Sequence, residues 1–107
     1  MVFFPNAKIN LGLHVTSKRP DGYHTIESVF YPIQLHDTIE IHESNTFFLK
    51  EYQKSPSATT TEENTIFKAW KYLADDFGIK PVHVDLIKYI PSGAGLGGGS
   101  SDASHML

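Results

Sequence analysis

Five glycines fall within the seven residues from Gly93 to Gly99, and nothing else in this 107-residue chain restricts the fold as much. The segment before them, Val82 to Ile90, is β-patterned and is stopped by Pro91. The residues after them, Ser100-Ser101-Asp102-Ala103, read as the opening of a helix near Ser100 or Ser101. A backbone without Cβ atoms can curl into a concave nest of amide N–H groups. A helix that follows adds unpaired N–H groups and the positive end of its dipole. Strand, glycine loop and helix together make a phosphate cradle that needs no strongly basic side chain. The hydroxyls of Ser100 and Ser101 stand beside it, able to bond phosphate oxygens or a Mg²⁺ shell. Gly93-x-Gly95-x-x-Gly98 formally matches the dinucleotide fingerprint, but that fingerprint opens a βαβ unit, whereas the strands here alternate as half-exposed ones do. No Lys-Ser/Thr pair follows the last glycine, so the loop is not a Walker A motif. A merely flexible turn is the plain alternative, and such turns seldom have a strand before and a capped helix after.

Upstream, Ala7 to Ser17 alternates with period two, placing Ile9, Leu11, Leu13 and Val15 on one face. This predicts a strand with one buried face, with Lys8 and Asn10 together on the other, which would be solvated in the simplest reading. Lys18-Arg-Pro-Asp-Gly22 is a turn sequence. Strands are expected over His24–Gln34, bent or interrupted near Pro32, then over Asp37–Glu43 and Thr46–Lys50. Gln53 to Glu63 reads as a loop. A helix over Glu63–Phe77 follows, with Ile66, Trp70, Leu73 and Phe77 at helical spacing and Trp70 in the core. Thr61 or Asn64 would cap it, Glu62 and Glu63 would suit its positive end, and Gly78 would stop it. In the strand over Val82–Ile90, Val82, Val84, Leu86 and Ile90 share a face that Lys88 interrupts. The expected fold class is α+β, a mixed or antiparallel sheet with helices.

The length suits one domain with a small core. A net charge of −3 without blocks of like charge argues against nucleic acid or anionic lipid as partners. No cysteine is present, which excludes disulfides and thiolate metal sites and fits the cytoplasm. There is neither a signal-like start nor an apolar run of membrane-spanning length. The six histidines show no H-E-x-x-H or similar spacing, and His36 and His42 have no carboxylate constellation in sequence, so no metal site is expected.

Four ordered blocks carry a family resemblance. Pro91-Ser-Gly93-Ala-Gly95-Leu96-Gly97-Gly98-Gly99-Ser100-Ser101-Asp-Ala resembles the phosphate loop of the GHMP kinases, named for galactose, homoserine, mevalonate and phosphomevalonate. Pro5-Asn-Ala-Lys8-Ile-Asn10-Leu, Asp21-Gly-Tyr23-His24 and Glu63-Asn64 resemble further blocks of the branch of that family that acts on a cytidine-diphosphate alcohol in isoprenoid biosynthesis. The resemblance implies an ATP-dependent small-molecule kinase, with Mg²⁺ arriving with ATP and a small-molecule substrate as partner. It implies that Pro91, Gly93 and Gly95 to Ser101 hold the ATP phosphates, and that Lys8 stabilises the transferred phosphoryl and the attacking hydroxyl. Asn10 would bond substrate hydroxyls. Tyr23, His24 and Phe30 would line the pyrimidine end of the pocket, although Phe30 is equally read as core. Asn64 and Lys88 would line the adenosine pocket, with a helix cap and a snorkelling lysine as the plain alternatives.

The resemblance also implies a ribosomal-protein-S5-like arrangement with a left-handed βαβ crossover. Residues 1–107 are then expected to be the first part of the kinase's ATP-binding domain. The catalytic aspartate and a second domain would lie beyond them, turnover would be absent from these residues alone, and uncovered apolar surface would favour self-association. Homoserine- or mevalonate-type kinases, or a non-catalytic nucleotide-binding or assembly module, are the competing readings. The Tyr23-His24 pair and the triple glycine favour the cytidine branch.

Overall fold

A computed structural model describes residues 1–53 and 64–107. Apart from Gln53, which ends a strand, the expected loop over 53–63 lies outside the described residues, and with it Thr61, Glu62 and Glu63. The elements are β1 (Val2–Phe3), β2 (Asn6–Lys18), β3 (His24–His36), β4 (Thr38–Glu43), β5 (Phe48–Gln53), α1 (Thr65–Phe77), β6 (Val82–Lys88) and α2 (Gly98–Ser104). Four strands form one sheet in the order β1-β4-β6-β5, and β2 and β3 form a separate ribbon. β5 runs parallel to β6 while the other pairs are antiparallel, so the main sheet is mixed and the class is α+β, as expected. Parallel neighbours need a crossover, and α1 lies in the chain between β5 and β6.

Alternation builds the core. Ile39 of β4, Val84 and Leu86 of β6 and Ile66 of α1 are buried together, with Ile41, Leu49, Val82 and Met106 packed against them. Phe47 stacks on Trp70 with ring centroids 4.4 Å apart and meets Phe67 edge-on at 5.1 Å. Asn64 caps α1, its side-chain oxygen accepting from Ile66 N, and Gly78 ends the helix in the left-handed region at φ 64°. The expected apolar stripe is only partly used. Ile66 is buried, Trp70 and Leu73 are half-buried, and Phe77 is 75% exposed.

The expectation of a buried face on β2 is overturned. Leu11, Leu13 and Val15 are more than half exposed, and Ile9 is 37% exposed. The strand pairs with β3 alone, and among the described residues no layer lies over that ribbon. Only Ala7, near the start of the strand, is fully buried. Gly12, at φ 73°, sits where the register shifts between Leu11 and Leu13. Pro32 does not interrupt β3; it lies opposite Lys8, beside another register shift. At the ribbon's tip the Asp21 carboxylate accepts from Tyr23 N, and Gly22 takes φ 87°, as the turn sequence requires. Among the described residues no helix is long and apolar enough to cross a membrane.

Candidate functional site

The ribbon's first residues reach the glycine loop. Lys8 donates its backbone N–H to Leu96 O at 3.0 Å, so the opening strand and the loop are joined like neighbouring strands. Its ammonium donates to Gly95 O at 2.7 Å and to Asn10 Oδ1 at 3.2 Å, and stands 5.3 Å from the centroid of the Phe30 ring. Phe30 is the cross-strand partner of Asn10. Lys8, Asn10, Phe30 and Gly95, spread over the whole sequence, therefore form one cluster. Gly97 is needed where it is: a Cβ there would lie 3.1 Å from Lys8 Cε, and its φ is 73°. Gly93 and Gly95 also take positive φ, which a curled loop of amides requires. Gly98 is buried against Ile90, whose Cγ2 a Cβ would meet at 2.7 Å. α2 opens here, at Gly98 rather than at Ser100 or Ser101. Thr65 Oγ1 donates to Gly99 O at 2.8 Å and fastens α1 to the loop.

A cleft of about 170 Å³ adjoins the loop, lined by Asn64, Lys88, Ser92, Gly99 and Asp102 among others. It brings the two expected adenosine-pocket residues together beside the loop. Asn64 is at the same time a helix cap, and its amide donates to Glu51 Oε2 at 3.1 Å. Lys88 does not snorkel. Its ammonium is buried between Asp37 Oδ2 at 2.5 Å and Asp102 Oδ2 at 2.8 Å. Asp37 is completely buried, and its Oδ1 accepts from Tyr89 N at 2.6 Å and Ile90 N at 2.9 Å, where β6 turns into the glycine loop. Asp102 Oδ1 is buried without a partner. Burial pushes the Asp102 carboxyl up to about 6, against the pull of Lys88 and with the Asp37 charge adding to the rise. Burial also lowers the Lys88 ammonium, but the two carboxylates outweigh it and leave the group above its usual range. Sequence reasoning singled out neither Asp37 nor a partner for Asp102. The contacts span 51 and 14 positions, and no local pattern encodes them.

Tyr23 and His24 are not brought to this cluster. His24 pairs with Lys18 at the far end of the ribbon, six residues of β3 or roughly 20 Å from the Asn10–Phe30 pair. Tyr23 is 73% exposed. The expected absence of a carboxylate constellation around His42 does not hold in three dimensions, because the sheet sets Glu40 and Asp85 beside it.

Residues 64–107, which hold α1, β6 and the glycine loop, match the family described as GHMP kinases N terminal domain. Within that class the similarity is to one enzyme in particular. The 4-diphosphocytidyl-2-C-methyl-D-erythritol kinase of Bacteroides thetaiotaomicron is 52% identical over 111 residues, covering 100% of this chain and 40% of its own length. That of Porphyromonas gingivalis is 54% identical over 108 residues, covering 100% and 39%. A crystal structure of 4-(cytidine 5'-diphospho)-2C-methyl-D-erythritol kinase matches with a TM-score of 0.77 at 36% identity, over 100% of this chain and 38% of that one. A homoserine kinase from Cytophaga hutchinsonii matches at TM-score 0.64 and 16% identity, over 99% and 32%, which is a likeness of fold alone. The chain thus spans about two fifths of the length of the curated relatives it matches.

Proposed function

We propose that residues 1–107 form part of the ATP-binding domain of a kinase that phosphorylates the 2-hydroxyl of 4-diphosphocytidyl-2-C-methyl-D-erythritol, a step of non-mevalonate isoprenoid biosynthesis. One observation carries the reading: the Lys8 ammonium lies 2.7 Å from Gly95 O, at the mouth of the glycine loop. The relatives' names supply the substrate.

The residues fit ATP. The amides of Gly95, Leu96 and Gly97 donate no loop hydrogen bond to the backbone among the described residues, and those of Gly98 to Ser100 open α2, so the curled loop offers N–H groups to phosphate oxygens. The Ser100 and Ser101 hydroxyls, in the first turns of α2, are suited to phosphate or to the Mg²⁺ that accompanies ATP, whose chemistry would be to neutralise charge on the phosphates. The cleft beside Asn64 and Lys88 suits the nucleoside. In the kinase reading Lys8 exchanges its carbonyl partner for the transferred phosphoryl, where a compact cation stabilises developing charge and lowers the pKa of the attacking hydroxyl. Asn10, already 3.2 Å from that ammonium, orients substrate hydroxyls, and Phe30 walls the same pocket. Tyr23 and His24, at the ribbon's tip, would receive the cytidine end of an elongated substrate lying along the ribbon. A small amino-alcohol substrate such as homoserine would leave the tip unused.

The test is a chimera in which residues 1–107 replace the matching segment of the Bacteroides thetaiotaomicron relative. It is expected to release ADP on addition of ATP and 4-diphosphocytidyl-2-C-methyl-D-erythritol, but not homoserine. Lys8→Ala is expected to lower its kcat about 100-fold or more. A folded chimera that binds neither nucleotide nor substrate, or that is indifferent to Lys8→Ala, would sink the proposal.

A further inference from the structure

On the face of the main sheet away from the core, the two middle strands set a compact group of metal-ligating side chains opposite one another. β4 contributes Glu40 and His42, and β6 contributes His83 and Asp85. The register pairs Glu40 with Asp85 and His42 with His83. Directly paired residues have Cβ atoms about 5 Å apart, so the four groups share one patch whatever their rotamers. Their present placement is tight: His42 Nε2 is 3.2 Å from Glu40 Oε1, and His83 Nε2 is 3.4 Å from Asp85 Oδ2. The two imidazole centroids are 6.5 Å apart. One ligand atom each from Glu40, His42 and Asp85 lie within 4.8 Å of one another.

Two further features distinguish this group from ordinary surface charges. His83 Nε2 is buried, and despite its closeness to Asp85 it has no hydrogen-bond partner. A buried imidazole nitrogen left unpaired is costly, and a metal is one way to engage it. Two ligands are also oriented from outside. Tyr52 donates to Asp85 Oδ1 at 3.3 Å, leaving Oδ2 towards the histidines, and the Phe48 ring meets His83 edge-on at 4.9 Å. Supporting contacts of this kind fix ligand geometry at metal centres. Tetrahedral Zn²⁺ at about 2.1 Å from each ligand places ligand atoms about 3.4 Å apart, close to the separations within the His42–Glu40 and His83–Asp85 pairs.

We propose that Glu40, His42, His83 and Asp85 bind a borderline-soft divalent transition metal, best matched by Zn²⁺. Two nitrogen and two oxygen donors suit that ion, whereas Mg²⁺ and Ca²⁺ want oxygen alone. The site is structural. It clips β4 to β6, the strand whose far end opens the glycine loop, and it is separate from any Mg²⁺ that arrives with ATP. The competing account is that protonated histidines and Lys50, which stands 4.8 Å above the Tyr52 ring, balance the two carboxylates without a metal.

The metal-stripped chain, free of nucleotide, is titrated with zinc sulfate and separately with magnesium chloride, by calorimetry and by imidazole NMR. The expected result is one-to-one Zn²⁺ binding that raises the melting temperature and shifts the His42 and His83 signals only. Magnesium should do neither. His42→Ala and His83→Ala should each weaken Zn²⁺ binding about tenfold or more, with Glu40→Gln and Asp85→Asn acting in the same direction. Absence of Zn²⁺ binding, binding that survives the double histidine variant, or shifts confined to the other histidines would overturn the proposal. If a variant does not fold, the imidazole shifts of the unaltered chain decide.

Discussion

A single ammonium, that of Lys88, faces two carboxylates in a space almost without water. The group as a whole carries one negative charge too many, and the structure shows where the excess falls. Asp37 receives two backbone N–H donors besides the lysine, whereas Asp102 receives the lysine alone and keeps one oxygen orphaned. Burial, only partly offset by Lys88, lets Asp102 hold its proton up to about pH 6. The sign for stability follows from that rise. Between the ordinary value of 3.8 and about 6 the folded chain binds more protons than the unfolded one, so the stability due to Asp102 is present below that window and declines as pH rises through it. Asp102→Asn removes the titration but keeps an oxygen for Lys88. Urea melts across this window are expected to show a flatter pH dependence for the variant. An identical slope would place the proton elsewhere.

At the scale of elements, the junction of β6, the glycine loop and α2 is held by tight packing as well as by charge. Gly98 is the narrowest point: a methyl group there meets Ile90 Cγ2 at 2.7 Å and the Lys88 ammonium at 3.3 Å. Ile90 is 2% exposed and its N–H is tied to Asp37, so it has little room to yield. Gly98→Ala should therefore displace α2 or the loop, destabilising the fold by about 1–3 kcal/mol. It should also weaken ATP binding, read by thermal melts and nucleotide titration. A fully stable variant with unchanged nucleotide affinity would show that the junction tolerates movement. The run Gly97-Gly98-Gly99 is conspicuous in sequence, while the reason for its middle glycine, the Ile90 side chain eight positions earlier, is not.

At the scale of the whole molecule, the β2–β3 ribbon exposes apolar side chains that a soluble sheet normally covers. Leu11, Leu13, Val15, Val29 and Tyr31 are each more than 50% exposed, on a ribbon with no packed layer among the described residues. Apolar surface of this extent is expected to pair with a second copy of the chain. Light scattering of residues 1–107 should show concentration-dependent association, relieved by Leu13→Glu or Val29→Glu. A monomer at every concentration, with cooperative melting, would count against this. In the chimera the same surface should associate less, if the remainder of the relative covers it.

Local information settled most of the elements. Period-two alternation placed β4 and β6 and their core faces; Gly78 marked the end of α1, whose cap the sequence left between Thr61 and Asn64; and the turn sequence marked the ribbon's tip. The glycine run announced a curled loop, because the positive φ that Gly93, Gly95 and Gly97 adopt is one that only glycine takes freely. Alternation alone could not say whether an apolar face is covered, and for β2 it is not, since burial depends on what packs across the strand. The contact of Lys8 with Gly95, the capture of Lys88 by Asp37 and Asp102, and the grouping of His42 and His83 with two carboxylates were decided only by tertiary structure. Each joins groups on different elements, and the electrostatic energy of such a group depends on distances and on exclusion of water that no stretch of sequence carries by itself.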